Sequence, residues 1–313
     1  MKMKKFISLA LVAVMVLSMS LFMASCGGDD EAAGGDDKGL VIRAVVATQL
    51  GDKSFNDSAK AGIDQLKEEG YDADLIECNT DSSLWEQNLR LAADDADIVV
   101  AVGSELDMID KVAGDEAYQD VKFIWVDNVV ENPKSLPNLT CISYKQNEGS
   151  YLVGYIAGKM TESNVVGFVG GQDIDVINDF RVGYEQGVKA ANADAKVVHN
   201  YTNDWSDADA GANCGQDLAA RGADIIFTAA GGSGSGVITK AEDLGIKCIG
   251  VDADQRQTMA DYADDILCSM IKEVGKSIVD YVHQIAEDEA NWKGGEVWYA
   301  GMDGGYIGVA YGA

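Results

Sequence analysis

The feature that most constrains the fold is an alternation sustained along the chain. Apolar, β-rich runs at residues 41–47, 74–78, 97–102, 122–126, 165–169, 196–201, 224–229 and 247–251 are separated by stretches of helical periodicity. The helical stretches are 56–69, 84–93, 147–160, 180–191, 207–220 and 237–244, and the longest, 271–290, comes late. Apolar strands alternating with helices form parallel sheets covered by helices. Both prolines of the chain, Pro133 and Pro137, fall in a polar stretch at 129–146. A break of this kind reads as the end of one lobe and a crossover into a second. The expected fold class is therefore α/β, with two Rossmann-like lobes joined by a hinge and a ligand cleft between them.

The first 26 residues address the chain. Lys2, Lys4 and Lys5 precede an apolar run at 6–23, which ends in Ala24-Ser25-Cys26. A basic start, an apolar middle and small residues before a cut site form a secretory leader. A cysteine directly after the cut marks a bacterial lipoprotein, in which Cys26 carries the lipid and becomes the first residue. Met23 stands where leucine is commonest. The alternative is an uncleaved membrane anchor, since an apolar run of this length reaches the lower limit for spanning a bilayer. Residues 27–38 contain Gly, Ala, Asp, Glu and one Lys, with nothing large to bury. Such a segment is a disordered tether.

The expected organisation is a signal peptide at 1–25, a lipidated cysteine with an acidic tether at 26–39, and a folded domain at 40–313. Within that domain, the first lobe is expected at about 40–144 plus about 253–282. The second is expected at about 145–252 plus about 283–313. The location expected is the cell membrane, lipid-anchored and facing the extracytoplasmic side.

Removing the leader takes away three lysines and no acid, leaving 21 basic against 52 acidic residues and a net charge of −31. Nucleic acid and anionic lipid headgroups are repelled by such a surface, and a polyanionic ligand is disfavoured at long range. Five cysteines remain after Cys26. Cys141, Cys248 and Cys268 lie in apolar strand-like runs, where a thiol packs as a small hydrophobe, and Cys78 and Cys214 lack metal-ligand spacing. Buried free thiols are expected, with no structural metal and no cofactor.

In parallel sheets the loops after the strands carry the chemistry. Four polar loops meet that condition. Asp52-Lys53-Ser54-Phe55-Asn56 opens the first helix, and Asp127 closes the fourth strand. The segment from Gly231 to Gly236 follows the seventh strand, and Asp252-Ala253-Asp254 follows the eighth. The glycines match neither G-x-G-x-x-G nor the P-loop pattern, so close backbone approach to an uncharged ligand is favoured over phosphate binding. Asp204 to Gly211 resembles a broken calcium loop. Position 12 counted from Asp207 is Leu218 rather than Glu, which excludes an EF-hand and leaves Asp207 as a helix cap with Trp205 turned to the cleft.

There are two histidines, His199 and His283, without an acid or serine at motif spacing. No zincin, triad or nucleophile-elbow pattern appears. Asp252 and Asp254 could do acid–base work or accept hydrogen bonds from sugar hydroxyls. For a tethered, exported chain, recognition without catalysis is the expectation.

These residues resemble the basic membrane protein family of substrate-binding lipoproteins, whose best-understood members are purine nucleoside receptors of ABC importers. The resemblance runs from about Val41 to Lys272. Its carriers include Asp52 to Asn56, Val126-Asp127, Glu148 to Gly154, Val166 to Gly171, Phe180 to Gly187, Gly222 to Ile226, Gly250 to Gln255 and Ser269 to Lys272. The resemblance implies a type I periplasmic-binding-protein fold that closes on a nucleoside. It implies that Asp52, Phe55 and Asn56, with Ser54 in the same loop, hold the base, that Asp127 faces it, and that the second stacking aromatic is Trp205, with Phe180 as rival. It also implies that Asp252 and Lys272 meet the ribose, with Gly231 close by. Two departures stand out: Gln172-Asp173-Ile174-Asp175 replaces a small apolar or proline-bearing stretch, and Trp205 stands where Phe is common.

The expected function is that of a membrane-anchored solute-binding protein, a monomer that delivers a nucleoside to an ABC permease and its ATPase. The alternatives are another small solute such as a sugar or signalling molecule, and a nucleoside hydrolase using Asp252 or Asp254.

Overall fold

The computed structural model describes residues 39–311. The signal peptide, Cys26 and the tether lie outside the described residues.

The first sheet is built from β1 (Val41–Val46), β2 (Asp72–Glu77), β3 (Ile98–Val102), β4 (Lys122–Val126), β5 (Leu139–Tyr144) and β11 (Val297–Ala300). The second holds β6 (Val165–Gly170), β7 (Lys196–Tyr201), β8 (Ile225–Ala229), β9 (Lys247–Asp252), β10 (Ile266–Lys272) and β12 (Ile307–Ala310). The strand orders are β11-β5-β4-β3-β1-β2 and β12-β10-β9-β8-β6-β7. The two lobes thus repeat one topology, in which β4 corresponds to β9 and β5 to β10. Among the described residues all pairings are parallel except β10 with β12. β3 (IVVAV) and β8 (IIFTA) are buried at every residue, as strands covered by helices on both faces must be.

The helices are α1 (Phe55–Glu68), α2 (Trp85–Ala93), α3 (Ile109–Ala113), α4 (Gln146–Met160) and α5 (Asp175–Ala191). They continue with α6 (Ala208–Ala220), α7 (Gly231–Leu244), α8 (Gln255–Thr258) and α9 (Val274–Glu287). Each longer helix turns an apolar stripe inward, and one continuous cluster joins Ile42, Val100 and Ile124 of the first sheet to Phe168, Phe227 and Ile249 of the second. Two helix pairs approach too closely for side chains between them. A Cβ added to Gly154 of α4 would lie 2.2 Å from the carbonyl oxygen of Tyr184 on α5, and one added to Gly62 of α1 would lie 2.6 Å from the backbone of Gly275 on α9.

Four expectations need correction. The late helix starts at Val274 rather than 271, because Ile271 and Lys272 complete β10. The tail is also divided differently from the expected lobe boundaries. β10, expected with the first lobe, pairs in the second sheet, and β11, expected with the second lobe, pairs with β5 in the first. The chain therefore passes between the lobes after β5, after β10 and after β11. The segment from Gly231 to Gly236 is not a loop but the first turns of α7. Gly236 serves packing, since a Cβ on it would sit 1.8 Å from the carbonyl oxygen of Ala208 on α6. Finally, α5 starts at Asp175, so Phe180 lies in its second turn rather than at its start.

Among the described residues no helix is long and apolar enough to cross a membrane. Cys78, Cys141, Cys248 and Cys268 are buried free thiols and Cys214 is half-buried. Burial pushes the thiols of Cys248 and Cys268 up to about 12.

Candidate ligand-binding cleft

The strand ends of both sheets converge on one cavity with an empty volume of about 630 Å³, its mouth included. The first lobe lines it with Thr48 after β1, Asp52, Phe55 and Asn56 at the start of α1, Gly103 and Glu105 after β3, and Asp127 after β4. The second lobe lines it with Ile177 and Phe180 of α5, Trp205 after β7, Gly231 after β8, Asp252 ending β9, and Lys272 ending β10.

The loop before α1 is held by its own acid. Asp52 accepts from the main-chain N–H groups of Ser54 at 3.0 Å, Asn56 at 2.8 Å and Asp57 at 3.1 Å. A carboxylate there satisfies orphan donors of the helix and meets the positive end of its dipole. Burial nevertheless raises the carboxyl above its ordinary value, against the three amide bonds. Asn56 spends both side-chain N–H donors inside the protein, on Thr48 Oγ1 at 2.6 Å and on the carbonyl of Gln49 at 2.9 Å. These bonds hold Phe55 at the cavity wall.

Asp127 and Asp252 occupy corresponding places at the ends of β4 and β9, and both are left-handed, with φ of 72° and 62°. A non-glycine residue in that region costs of order 1–3 kcal/mol and persists where its surroundings hold it. Lys272 does part of that holding. Its Nζ lies 2.6 Å from Asp127 Oδ2; the lysine side chain is buried and that of the aspartate is 12% exposed. The same Nζ sits 5.0 Å from the ring centroids of Phe55 and Tyr144 and 5.1 Å from that of Phe180, so the ammonium is enclosed by aromatic faces from both lobes. Asp127 Oδ1 is buried and has no partner among the described residues. Burial pushes this carboxyl upward and Lys272 pulls it back.

Ser54 Oγ bridges the lobes, 2.5 Å from Asp252 Oδ2. The carbonyl of Lys53 adds two more bridges by accepting from Gln255 Nε2 at 3.3 Å and Thr258 Oγ1 at 3.2 Å. Burial raises Asp252 to about 6, while Lys272 and Ser54 work against that rise and Asp127 and Asp52 add to it. Glu105 is raised by burial as well. The cavity thus sets four carboxyls against one ammonium. It favours a neutral or cationic ligand over an anion.

Trp205 is placed by glycines. A Cβ on Gly171 would fall 2.0 Å from Cζ3 of its indole, and only glycine lets the benzo edge seat there. Its carbonyl accepts from Ser233 N at 3.1 Å, and Ser233 Oγ donates to the carbonyl of Asp204 at 2.8 Å. One main-chain donor at the start of α7, that of Ser233, is thereby spent on the Trp205 loop.

Nine of the ten expected residues, Asp52, Phe55, Asn56, Asp127, Phe180, Trp205, Gly231, Asp252 and Lys272, line this one cavity. The tenth, Ser54, is fully buried behind it and touches Asp252 instead. Trp205 and Phe180, posed as rivals, are both present. Glu105 and Thr48 were missed. The loop after β3 sits at the same sheet edge as the others, so strand order was the signal that could have found Glu105. Asp254 is not among the lining residues, and its Oδ2 accepts from Gln257. His199 is exposed, and His283 pairs with Glu69 away from the cleft. No imidazole reaches the cavity.

Comparison with known proteins gives a consistent picture. Residues 40–311 match the family model described as ABC transporter substrate-binding protein PnrA-like. A CD4+ T-cell-stimulating antigen of Listeria innocua is 34% identical over 265 residues, covering 79% of this chain and 73% of that protein. Basic membrane protein A of Borreliella burgdorferi is 29% identical over 300 residues, covering 95% of this chain and 86% of that protein. A solved ABC transporter solute-binding protein from Aeropyrum pernix K1 superposes with a TM-score of 0.78 at 24% identity, covering 87% of this chain and 76% of that one. The family holds substrates for transport and is not enzymatic. Two similar α/β lobes, a cleft at their strand ends and a match along the whole described domain lead to one conclusion: the chain belongs to the Bmp family of PnrA-like substrate-binding proteins of ABC transporters.

Proposed function

We propose that this protein is a lipid-anchored receptor that closes its two lobes on a nucleoside, a purine nucleoside above all, and hands it to a membrane permease. The observation that carries this reading is the composition of one cavity. Flat aromatic faces come from both lobes, Phe55 from the first and Trp205 and Phe180 from the second, beside a buried Lys272–Asp127 pair and Asp252. A purine offers two faces for stacking and an edge of donors and acceptors, while a ribose diol suits a carboxylate and a cation. The excess of carboxyls disfavours a phosphorylated nucleotide. Anchoring rests on the leader and Cys26, and the partners are the permease and ATPase that the family serves. Lobe closure sequesters the ligand, and hinge opening releases it.

The test is native mass spectrometry of the protein, stripped by mild denaturation and refolded, then offered a mixture of nucleosides and common sugars. Retention of an intact nucleoside supports the reading and names the base. Retention of a sugar overturns the nucleoside part and leaves the receptor standing, and release of free base argues for hydrolysis. Anchoring is tested by Cys26→Ser, which should move the protein from the membrane fraction to the soluble exported one.

A further inference from the structure

Trp205 supplies more than a flat face. Of the five tryptophans in the chain, three spend their indole N–H on main-chain carbonyls: Trp85 on Ala47 at 3.2 Å, Trp125 on Gly103 at 2.9 Å and Trp292 on Pro137 at 3.1 Å. Trp205 differs, because its Nε1 is buried and has no hydrogen-bond partner among the described residues although the ring lines the cleft. A buried donor left unpaired is costly and calls for an explanation. Phenylalanine would supply a stacking face without that cost, so the indole has to be accounted for by its nitrogen.

The ring's orientation narrows the acceptor. Cζ3 and Cε3 press against Gly171, and Cε3 also faces Gly231. The pyrrole edge with Nε1 is therefore the edge away from Gly171. An N–H lies in the plane of its ring, so a base stacked on the face of Trp205 cannot accept from it. The acceptor must belong to a part of the ligand that projects beyond the stack, and in a nucleoside that part is the sugar. Asp252 and Lys272 line the same cavity and suit the remaining hydroxyls.

Resting on the nucleoside reading, we infer that the indole N–H of Trp205 donates to a sugar hydroxyl oxygen of the bound nucleoside, which makes Trp205 a specificity residue for the sugar as well as a platform for the base. A site built to pair a polar group discriminates strongly against a ligand that lacks the counterpart.

The experiment is a cycle between Trp205→Phe and the ligand. Adenosine, inosine and guanosine, with their 2′-, 3′- and 5′-deoxy forms, are titrated calorimetrically into the full-length protein and into W205F. Trp205→Phe should weaken the parent nucleoside about tenfold, as the loss of one well-buried hydrogen bond does. One deoxy position should cost the native protein about tenfold and W205F less than twofold. Parent affinity within twofold in W205F, or identical deoxy penalties in both proteins, overturns the inference and leaves the nucleoside reading intact. Failure of the native protein to bind any nucleoside overturns that reading itself. The indole ¹⁵N–¹H spectrum of the native protein checks the same contact without depending on the variant's folding. One indole proton should move downfield with the parent nucleoside and stay in place with the critical deoxy form; the absence of any such movement overturns the hydrogen bond.

Discussion

Lys272 Nζ and Asp127 Oδ2 lie 2.6 Å apart, joining the end of β10 in the second sheet to the end of β4 in the first. The pair spans the lobes and is enclosed by Phe55, Tyr144 and Phe180. Its charges therefore do two jobs, holding a left-handed Asp127 and presenting polar atoms to the cleft.

Lys272→Met should destabilise the fold by about 3–5 kcal/mol, because it leaves a buried carboxylate without its counter-ion. Combining it with Asp127→Asn should restore much of the loss, since no buried charge then remains and asparagine tolerates the left-handed backbone. Urea unfolding of the single and double variants measures both. A double variant as unstable as K272M would contradict this account.

Asp252 should impose a pH dependence on stability. Its folded value, about 6 against an ordinary 3.8, is raised, so its contribution is complete below about 4 and is lost as pH rises through about 6. That shift corresponds to at most about 3 kcal/mol. Asp252→Asn keeps an acceptor for Ser54 and tolerates the left-handed backbone. It should raise the urea midpoint at pH 7.5 and flatten its change between about pH 4 and 7. Asp52, Glu105 and Asp127 are raised in the same sense, so part of the slope should persist.

Phe55→Ala and Trp205→Ala should each weaken nucleoside binding by about 1–3 kcal/mol, the usual worth of one base–aromatic stack. Calorimetric titration reads the change. If either truncation leaves affinity untouched, that ring is not a stacking platform.

Gly154→Ala should cost about 1–3 kcal/mol or more, because the new methyl meets the carbonyl of Tyr184 and the α4–α5 pair cannot yield without shifting a helix. Thermal melting checks this. The cleft residues are unaltered, so ligand affinity in the folded fraction should remain near native.

The contrast between Gly231 and Glu105 shows how far the site was legible. Polar residues at the ends of apolar runs pointed to Asp52, Asp127, Gly231 and Asp252, because parallel strands must deliver their C-terminal ends to one edge. Glu105 sits at an equivalent edge, yet nothing in its neighbourhood looks like a motif. The glycines at 231–236 suggested a ligand-binding loop, whereas they are helical and one of them, Gly236, lets α7 approach α6. Short apolar runs such as 266–272 do not declare strand or helix by themselves, so periodicity alone puts Lys272 at the start of a helix where the structure ends a strand.

The sequence by itself determined that the chain alternates strands and helices, that its surface is strongly acidic, and that its polar loops gather at strand ends. These follow from local periodicity and composition. Only the tertiary structure decided that β10 and β11 return to opposite sheets, that Lys272 pairs with Asp127 across the lobes, and that one indole nitrogen of the cleft is left unpaired. The pairing of β11 with β5 and of Lys272 with Asp127 joins residues more than a hundred positions apart, and this geometry exists only once the two sheets have packed together.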